Sequence, residues 1–479
     1  MQSTIHADST IRGVDALRDR LAGHVAVRGD ADWDEARRAW NLAVDQRPAA
    51  VALPESAEDV AEIVRYARER GLRVAPQGTG HNAGPLGPLE DTILVKTSRM
   101  RGVEIDPGAG IARVEAGVLW IEVVEAAAEH GLASLAGSSP DVGVVGYTLG
   151  GGLSWLGRTH GLAANHVTAV ELVTADGRIV RADADNEPEL FWAVRGGGGS
   201  FGVVTALEFR LFPISEVYAG VLFFPQERAA EVLHAWRKWT DGVPREMTSV
   251  GRFLNMPPIP EIPEPLRGKS FVIVEVIYQG DEADGAELIR PLRELGPAMD
   301  SVATIPIQAL AHLHMDPEQP VPGAGDGVML ADFPAEAVDA LVASVGTGSP
   351  ILSFEVRHLG GALAEAKPEH GALARLDGKF IAFGVGMAMT PEMGAAVHGA
   401  VTRAIESLAP WHAERMYLNF AESSRSTDAF WGDAHRRLQA VKARFDASDV
   451  IKSNHPVRLG RTRRIGRTRR IAPPAGDRR

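Results

Sequence analysis

The 479-residue chain contains no cysteine. That absence excludes disulfides, thiolate metal sites, cysteine nucleophiles and any cysteinyl bond to a cofactor. It also permits a reducing cytoplasm, which is the expected location. No apolar run approaches the ~20 residues that cross a bilayer. The opening "MQSTIHADST" lacks both the basic and the apolar region of a signal peptide. Histidine and carboxylate spacings match no metal site, so no metal is expected. Positive charge is scarce in the body of the chain. Residues 457–479 hold nine arginines and one aspartate, a charge of +8, so 1–456 carry −20 of the overall −12. A body that acidic repels nucleic acid and anionic membrane, and neither is expected as a partner. The tail repeats "GRTRRI" at 460–465 and 466–471. It reads as a solvated, disordered extension rather than a polyanion-binding arm.

Glycine is plentiful, with 51 residues. Three dense clusters lie at 78–87, 137–161 and 196–202, each beside a strand. Residues 197–202, "GGGSFG", match G-x-G-x-x-G, but a helix precedes them and a β-rich run follows. A dinucleotide-binding turn needs the reverse order, strand then helix. The overlapping G-x-S-x-G around Ser200 fails as a nucleophile elbow for the same reason. "GKS" at 268–270 lacks the upstream glycine of a P-loop. Converging glycine loops can aim successive N–H groups at a phosphate and admit a long ligand. A turn-rich scaffold would show the same clusters, and the pattern leaves both open.

The coarse reading is α+β. "PESAEDVAEIVRYARERG" predicts a helix capped by Ser56 and ended by Gly71, followed by a strand "LRVAP". Hairpins are predicted over "GVEIDPGAGIARVEAG" and "VTAVELVTADGRIVRAD", with a helix near 118–130. From 213 long apolar strands recur between helical patterns at 226–240 and 391–408. They predict a broad antiparallel sheet backed by helices. The expected units are 1–212 (core 47–213), 213–409, a strand-then-helix return over 410–457, and the tail 458–479.

"APQGTGHNAGP" at 75–85, "GSSPDVGVVGYTLGGGLSWLGRTHGL", "VTADGRIVRADADNEPELFWAVRGGGGSFGVVT" and "MYLNF" carry a resemblance. In order and spacing the chain resembles the berberine bridge enzyme-like FAD-linked oxidases of the vanillyl-alcohol oxidase superfamily, which share the PCMH-type FAD-binding domain. The resemblance implies a two-subdomain FAD-binding domain interrupted by a substrate domain. It implies that Gly78, Thr79, Gly80 and Asn82 line the FAD diphosphate and that His81 bonds covalently to the flavin 8α carbon. Ser139 stands where many relatives hold a second, cysteinyl tether, so attachment through His81 alone is implied. Ser138, Val142, Gly143, Gly146, Gly151, Gly152, Gly202, Val204 and Asn419 are implied cofactor contacts, with Val142 the oxygen-permissive residue. Tyr417 is the implied base. Arg357, His358, His312 and His314 are weaker candidates, each read as a surface residue.

The resulting expectation is a flavoenzyme that oxidises an alcohol-type carbon of a sugar or secondary metabolite. Molecular oxygen would be the acceptor, hydrogen peroxide the product, and the enzyme a monomer or homodimer. A dehydrogenase or reductase on the same fold, a serine hydrolase using Ser200, and a binding-only flavoprotein are the rivals.

Overall fold

The computed structural model describes residues 15–260, 262–346 and 348–459; the repeated arginine motifs lie outside them. Ser56 accepts a hydrogen bond from the Asp59 N–H at 3.2 Å, and Gly71 ends the helix at φ 68°. Helix α1 (Ala57–Arg70) buries Val60, Ile63, Val64 and Ala67, the face its period predicts. Beside it lies a four-stranded sheet ordered β1-β2-β4-β3. Its strands are β1 (His24–Ala26), β2 (Ala50–Leu53), β3 (Arg73–Gln77) and β4 (Thr92–Lys96). β4 runs parallel to both β2 and β3, while β1 is antiparallel to β2. At the carboxyl end of β3 the chain enters the 78–87 glycine cluster.

A second sheet, ordered β5-β6-β9-β7-β8, is antiparallel throughout. It contains β5 (Val103–Asp106), β6 (Ile111–Glu115), β7 (Val167–Val173), β8 (Ile179–Asp183) and β9 (Val203–Arg210). Both predicted hairpins form. Helices α2 (Trp120–Ala128), α3 (Val144–Leu149) and α4 (Pro188–Val194) pack on it, and α3 opens directly from the second glycine cluster.

The third sheet is the broad antiparallel one, eight strands ordered β13-β10-β12-β11-β16-β17-β15 with β14 also on β10. Its strands are β10 (Glu216–Pro225), β11 (Met247–Asn255), β12 (Ser270–Tyr278), β13 (Met299–Asp300), β14 (Ala303–Pro306), β15 (Gly323–Leu330), β16 (Ser353–His358) and β17 (Phe380–Met387). Helices α5 (Ala229–Thr240), α6 (Glu282–Arg293), α7 (Ala335–Ser344) and α8 (Pro391–Ser407) cover one face around Trp236, Phe253, Phe333 and Phe354. The other face turns toward the glycine loops. Val217, Ala219, Val250 and Ile277 meet Ala133, Leu135, Trp155 and Leu156 there. Farther along, Met329 and Ile381 meet Leu153, Leu373 and Tyr417. Between these two apolar contacts lies a strip of charge.

The segment from 410 departs from expectation in one respect. It forms 3-10 turns at Ala409–Trp411 and Leu418–Phe420 instead of a strand. Its backbone serves other elements: Ala331 N–H donates to the Trp411 carbonyl, and the Ala413 N–H to that of Met329. The following helix α9 (Ala434–Phe445) brings Leu438, Val441 and Phe445 into the core of the second sheet, with Trp431 and Val457 beside them. Among the described residues no helix is long and apolar enough to cross a membrane.

Candidate active site

Gly80 takes φ 87°, and a Cβ there would lie 2.8 Å from the Gln77 amide nitrogen, so the loop after β3 requires glycine at this point. The turn presents the His81 ring, stacked on Trp40 with centroids 4.0 Å apart. His81 Nδ1 lies 2.7 Å from Thr79 Oγ1. His81 Nε2 faces Asp141 Oδ1 at 3.4 Å, and both atoms are buried without a hydrogen-bond partner. Trp40 Nε1 donates to the other oxygen of Asp141. Asn82 donates to the Ala421 carbonyl at 3.1 Å, while its Oδ1 is left unpartnered.

The second cluster closes on the first. Among the described residues, Gly143, the N-cap of α3, has only Thr79 near the position of an added Cβ, whereas Gly78 and Gly146 face open space. Gly150 touches the C-terminal return: a Cβ there would sit 1.8 Å from Asn419 Oδ1. Asn419 Nδ2 donates to the Tyr147 carbonyl at 2.9 Å and to the Tyr417 hydroxyl at 3.1 Å. Gly151 lies against Tyr417 and Gly152 against Tyr147. The Tyr417 hydroxyl is buried, and burial pushes its pKa well above that of a free phenol. Hydrogen bonds from Asn419 and from the backbone at Gly152 and Leu153 pull it back only in part, as does the charge of Arg357. Ser139 and Val142 are half-buried in the same loop.

The third cluster joins through the Gly198 N–H, which donates to the Leu149 carbonyl at 3.0 Å. Gly202 and Val204 sit apart from the other candidates. Val204 is buried in the β7–β9 pairing, and an added Cβ at Gly202 would approach the Val173 carbonyl to 2.7 Å. Ser200 is fully buried. Its Oγ lies 2.8 Å from Ser453 Oγ and accepts from the Val457 N–H at 2.9 Å. It ties the C-terminal segment to the loop, and among the described residues no histidine or carboxylate bonds its hydroxyl, so the hydrolase reading fails.

The charged strip corrects the expectation that Arg357 and His314 lie on the surface, for both are buried. Arg252 Nη1 meets Glu275 at 3.2 Å, and Glu275 meets His314 Nδ1 at 2.8 Å. His314 Nε2 meets Glu355 at 3.0 Å, and Glu355 meets Arg357 Nε at 2.9 Å. Burial and Arg252 press His314 toward neutrality. Glu275, Asp316 and Glu355 outweigh them and raise its pKa to about 9, so it is a cation at neutral pH. Arg357 then reaches across the interface to Ser138 Oγ at 3.0 Å. Its guanidinium lies between Trp155 and Phe420, 5.3 and 5.2 Å from their ring centres. His358, on the opposite side of β16, stacks on Phe380. Burial, with Arg158 and Arg237, lowers its pKa to about 3. His312 is exposed, as expected, and pairs with Glu318.

Sequence reasoning passed over Asp141, Trp40, Tyr147 and Glu355. Asp141 lay inside the quoted "GSSPDVG", but its approach to His81 spans 60 positions and has no local signature.

Residues 48–183 match the family described as an FAD binding domain. (R)-6-Hydroxynicotine oxidase of Paenarthrobacter nicotinovorans is 37% identical over 194 residues, covering 40% of this chain and 42% of that protein. The uncharacterised FAD-linked oxidoreductase YvdP of Bacillus subtilis is 30% identical over 311 residues, covering 64% and 67% respectively. The alignments thus span from under half to two thirds of these relatives. The BBE-like 1 structure from Physcomitrella patens superposes with a TM-score of 0.82 at 20% identity, covering 94% of this chain and 100% of that one.

Proposed function

The chain belongs to the berberine bridge enzyme-like FAD-linked oxidases, and from that premise we propose that it oxidises an alcohol-type carbon of a small organic molecule. In this reading 1–212 and 410–457 hold the cofactor, 213–409 holds the substrate, and the enzyme works in the cytoplasm as a monomer or homodimer.

The observation that carries the reading is the meeting of three glycine loops and the 417–422 turn around unpartnered polar atoms. His81 Nε2, Asn82 Oδ1, Asp141 Oδ1 and Thr148 Oγ1 are all buried without hydrogen-bond partners among the described residues, and Gly78 and Gly146 leave room above the backbone. These features fit FAD. Gly78, Thr79, Gly80 and Asn82 would hold the diphosphate. Ser138, Ser139, Val142, Gly143, Gly146, Gly151, Gly152 and Asn419 would line the flavin and its chain, and His81 would be the single covalent tether. Gly202 and Val204 enter as backbone contacts only, since their side-chain positions face the sheet. Bound FAD supplies a two-electron acceptor at N5 that returns to the oxidised state with molecular oxygen, giving hydrogen peroxide.

The chain's own part is proton management. In its ionised form, the minor one at neutral pH, Tyr417 Oη takes the substrate hydroxyl proton as hydride leaves the carbon. Asn419 Nδ2 fixes the phenol's orientation, and the Arg357 charge favours its ionised form.

Anaerobic mixing of the holoprotein with a panel of alcohols and sugars tests the proposal. At least one should bleach the flavin, and admitting air should restore the colour with stoichiometric peroxide. A bleached flavin that reoxidises only with another acceptor would make the protein a dehydrogenase. A protein that binds FAD but is bleached by no alcohol would overturn the reading.

A further inference from the structure

We propose that the substrate pocket accepts an anion, a carboxylate borne by the molecule being oxidised, and that Arg357 is the group that binds it. The inference deepens the proposed function and rests on it for the location of the cofactor.

The argument starts from how the buried charges are ordered. Arg252, Glu275, His314, Glu355 and Arg357 alternate in sign along the strip, each carboxylate held between two cations. Their five charges sum to +1, with a cation at each end of the chain. Asp316 brings that sum to zero from the Arg252 side, 3.9 Å from Arg252 Nη2 and 4.0 Å from His314 Nε2. At the other end, Arg357 pairs directly with Glu355 alone among the described residues. Arg357 spends Nε on Glu355 and Nη2 on the uncharged Ser138, with a longer approach of Nη2 to His314 at 3.5 Å, and Nη1 has no acceptor among the described residues.

Burying charge for stability alone is a poor device, because well-packed apolar side chains of equal volume hold a fold as well. The strip interrupts a face that is otherwise apolar on both sides. Its unfinished end is also the end nearest the proposed chemistry. Ser138 belongs to the second glycine loop, and Phe420 packs against Tyr417 with centroids 5.5 Å apart. Trp155 and Phe420 hold the guanidinium at 5.3 and 5.2 Å from their ring centres, on the side of the second glycine loop and the 417–422 turn. A guanidinium edge with unspent N–H groups suits a planar carboxylate, which accepts charge-assisted bonds about twice as strong as neutral ones.

Benzoate and acetate, compared with their neutral isosteres benzamide and acetamide, provide the test. Each is titrated into oxidised holoprotein and followed by the change in the flavin's visible spectrum, with no turnover required. The expected result is carboxylate binding tighter than amide binding by about tenfold or more. Arg357→Gln should abolish the preference and Arg357→Lys should keep part of it. Equal binding within each pair, or no spectral change with either carboxylate, overturns the proposal. So does an Arg357→Gln protein that keeps the preference and shows only an altered flavin reduction potential, which would assign the charge to the cofactor. If Arg357→Gln loses its flavin, the wild-type pairs and Arg357→Lys still decide. Carboxylate preference in a protein that no alcohol bleaches would sustain this proposal while removing the proposed activity.

Discussion

A phenol buried at Tyr417 gives the account its first measurable consequence. Its pKa is raised by burial, so the hydroxyl keeps its proton at neutral pH, and the basic form grows as pH rises toward the shifted value. Flavin reduction measured anaerobically should therefore accelerate with pH by up to about tenfold per unit until the protein unfolds. Tyr417→Phe should keep FAD, slow reduction by about 10²-fold or more, and flatten that profile. A wild-type rate in the variant would move the base elsewhere. Residues of this kind were legible where the motif is local. "GTGHN" places Thr79 and His81 together, and "YLN" places Tyr417 beside Asn419. The contacts of Arg357 with Ser138, 219 positions away, and of Glu275 with His314, 39 positions away, were not. Arg357, Glu275 and His314 each look alone like an ordinary surface charge; strand register aligns Glu275 and Arg357 across β11, and loops bring His314 and Ser138 to them.

Among the elements, the C-terminal return bears most directly on the cofactor. Trp431 is almost fully buried, and its Nε1 donates to the Gly196 carbonyl at 3.0 Å, which pins the third glycine cluster. Trp431→Ala should cost about 3–5 kcal/mol, in line with large aromatic truncations in cores. It should also lower the FAD retained after dialysis, whereas thermal stability and flavin content equal to wild type would contradict the role given to this element. The helix of this segment was legible from its pattern, but its first part was misread as a strand. Strands β11 and β15 went unread for a physical reason. β11 carries Arg252 at a position that would ordinarily be apolar, and β15 begins "GAGDG", a turn composition, yet both are held by neighbours on each side or at the edge of an established sheet. The hairpin turning on Asp176-Gly177 needed no such help, because Gly177 takes φ 80° locally.

Over the whole molecule, the described fold makes its last buried contact at a defined place. Val457 is fully buried and its N–H reaches Ser200, so the fold uses the chain up to that residue. Truncation after residue 457 should leave flavin content and activity intact. Truncation after Ser453 also removes His455, whose Nε2 meets the Ala421 carbonyl at 2.9 Å, and should release FAD and lower the melting temperature. Intact flavin in the shorter protein would show that the return ends earlier than Val457. The claim on which the rest depends is that the three glycine loops hold FAD with His81 as its tether, and acid precipitation followed by peptide mapping tests it most directly. The account predicts that wild-type protein stays yellow after precipitation, with flavin on one peptide containing "GTGHNAGP", and that His81→Ala releases every flavin under the same treatment. Complete loss of flavin from the wild-type precipitate, or flavin on any other peptide, would contradict it.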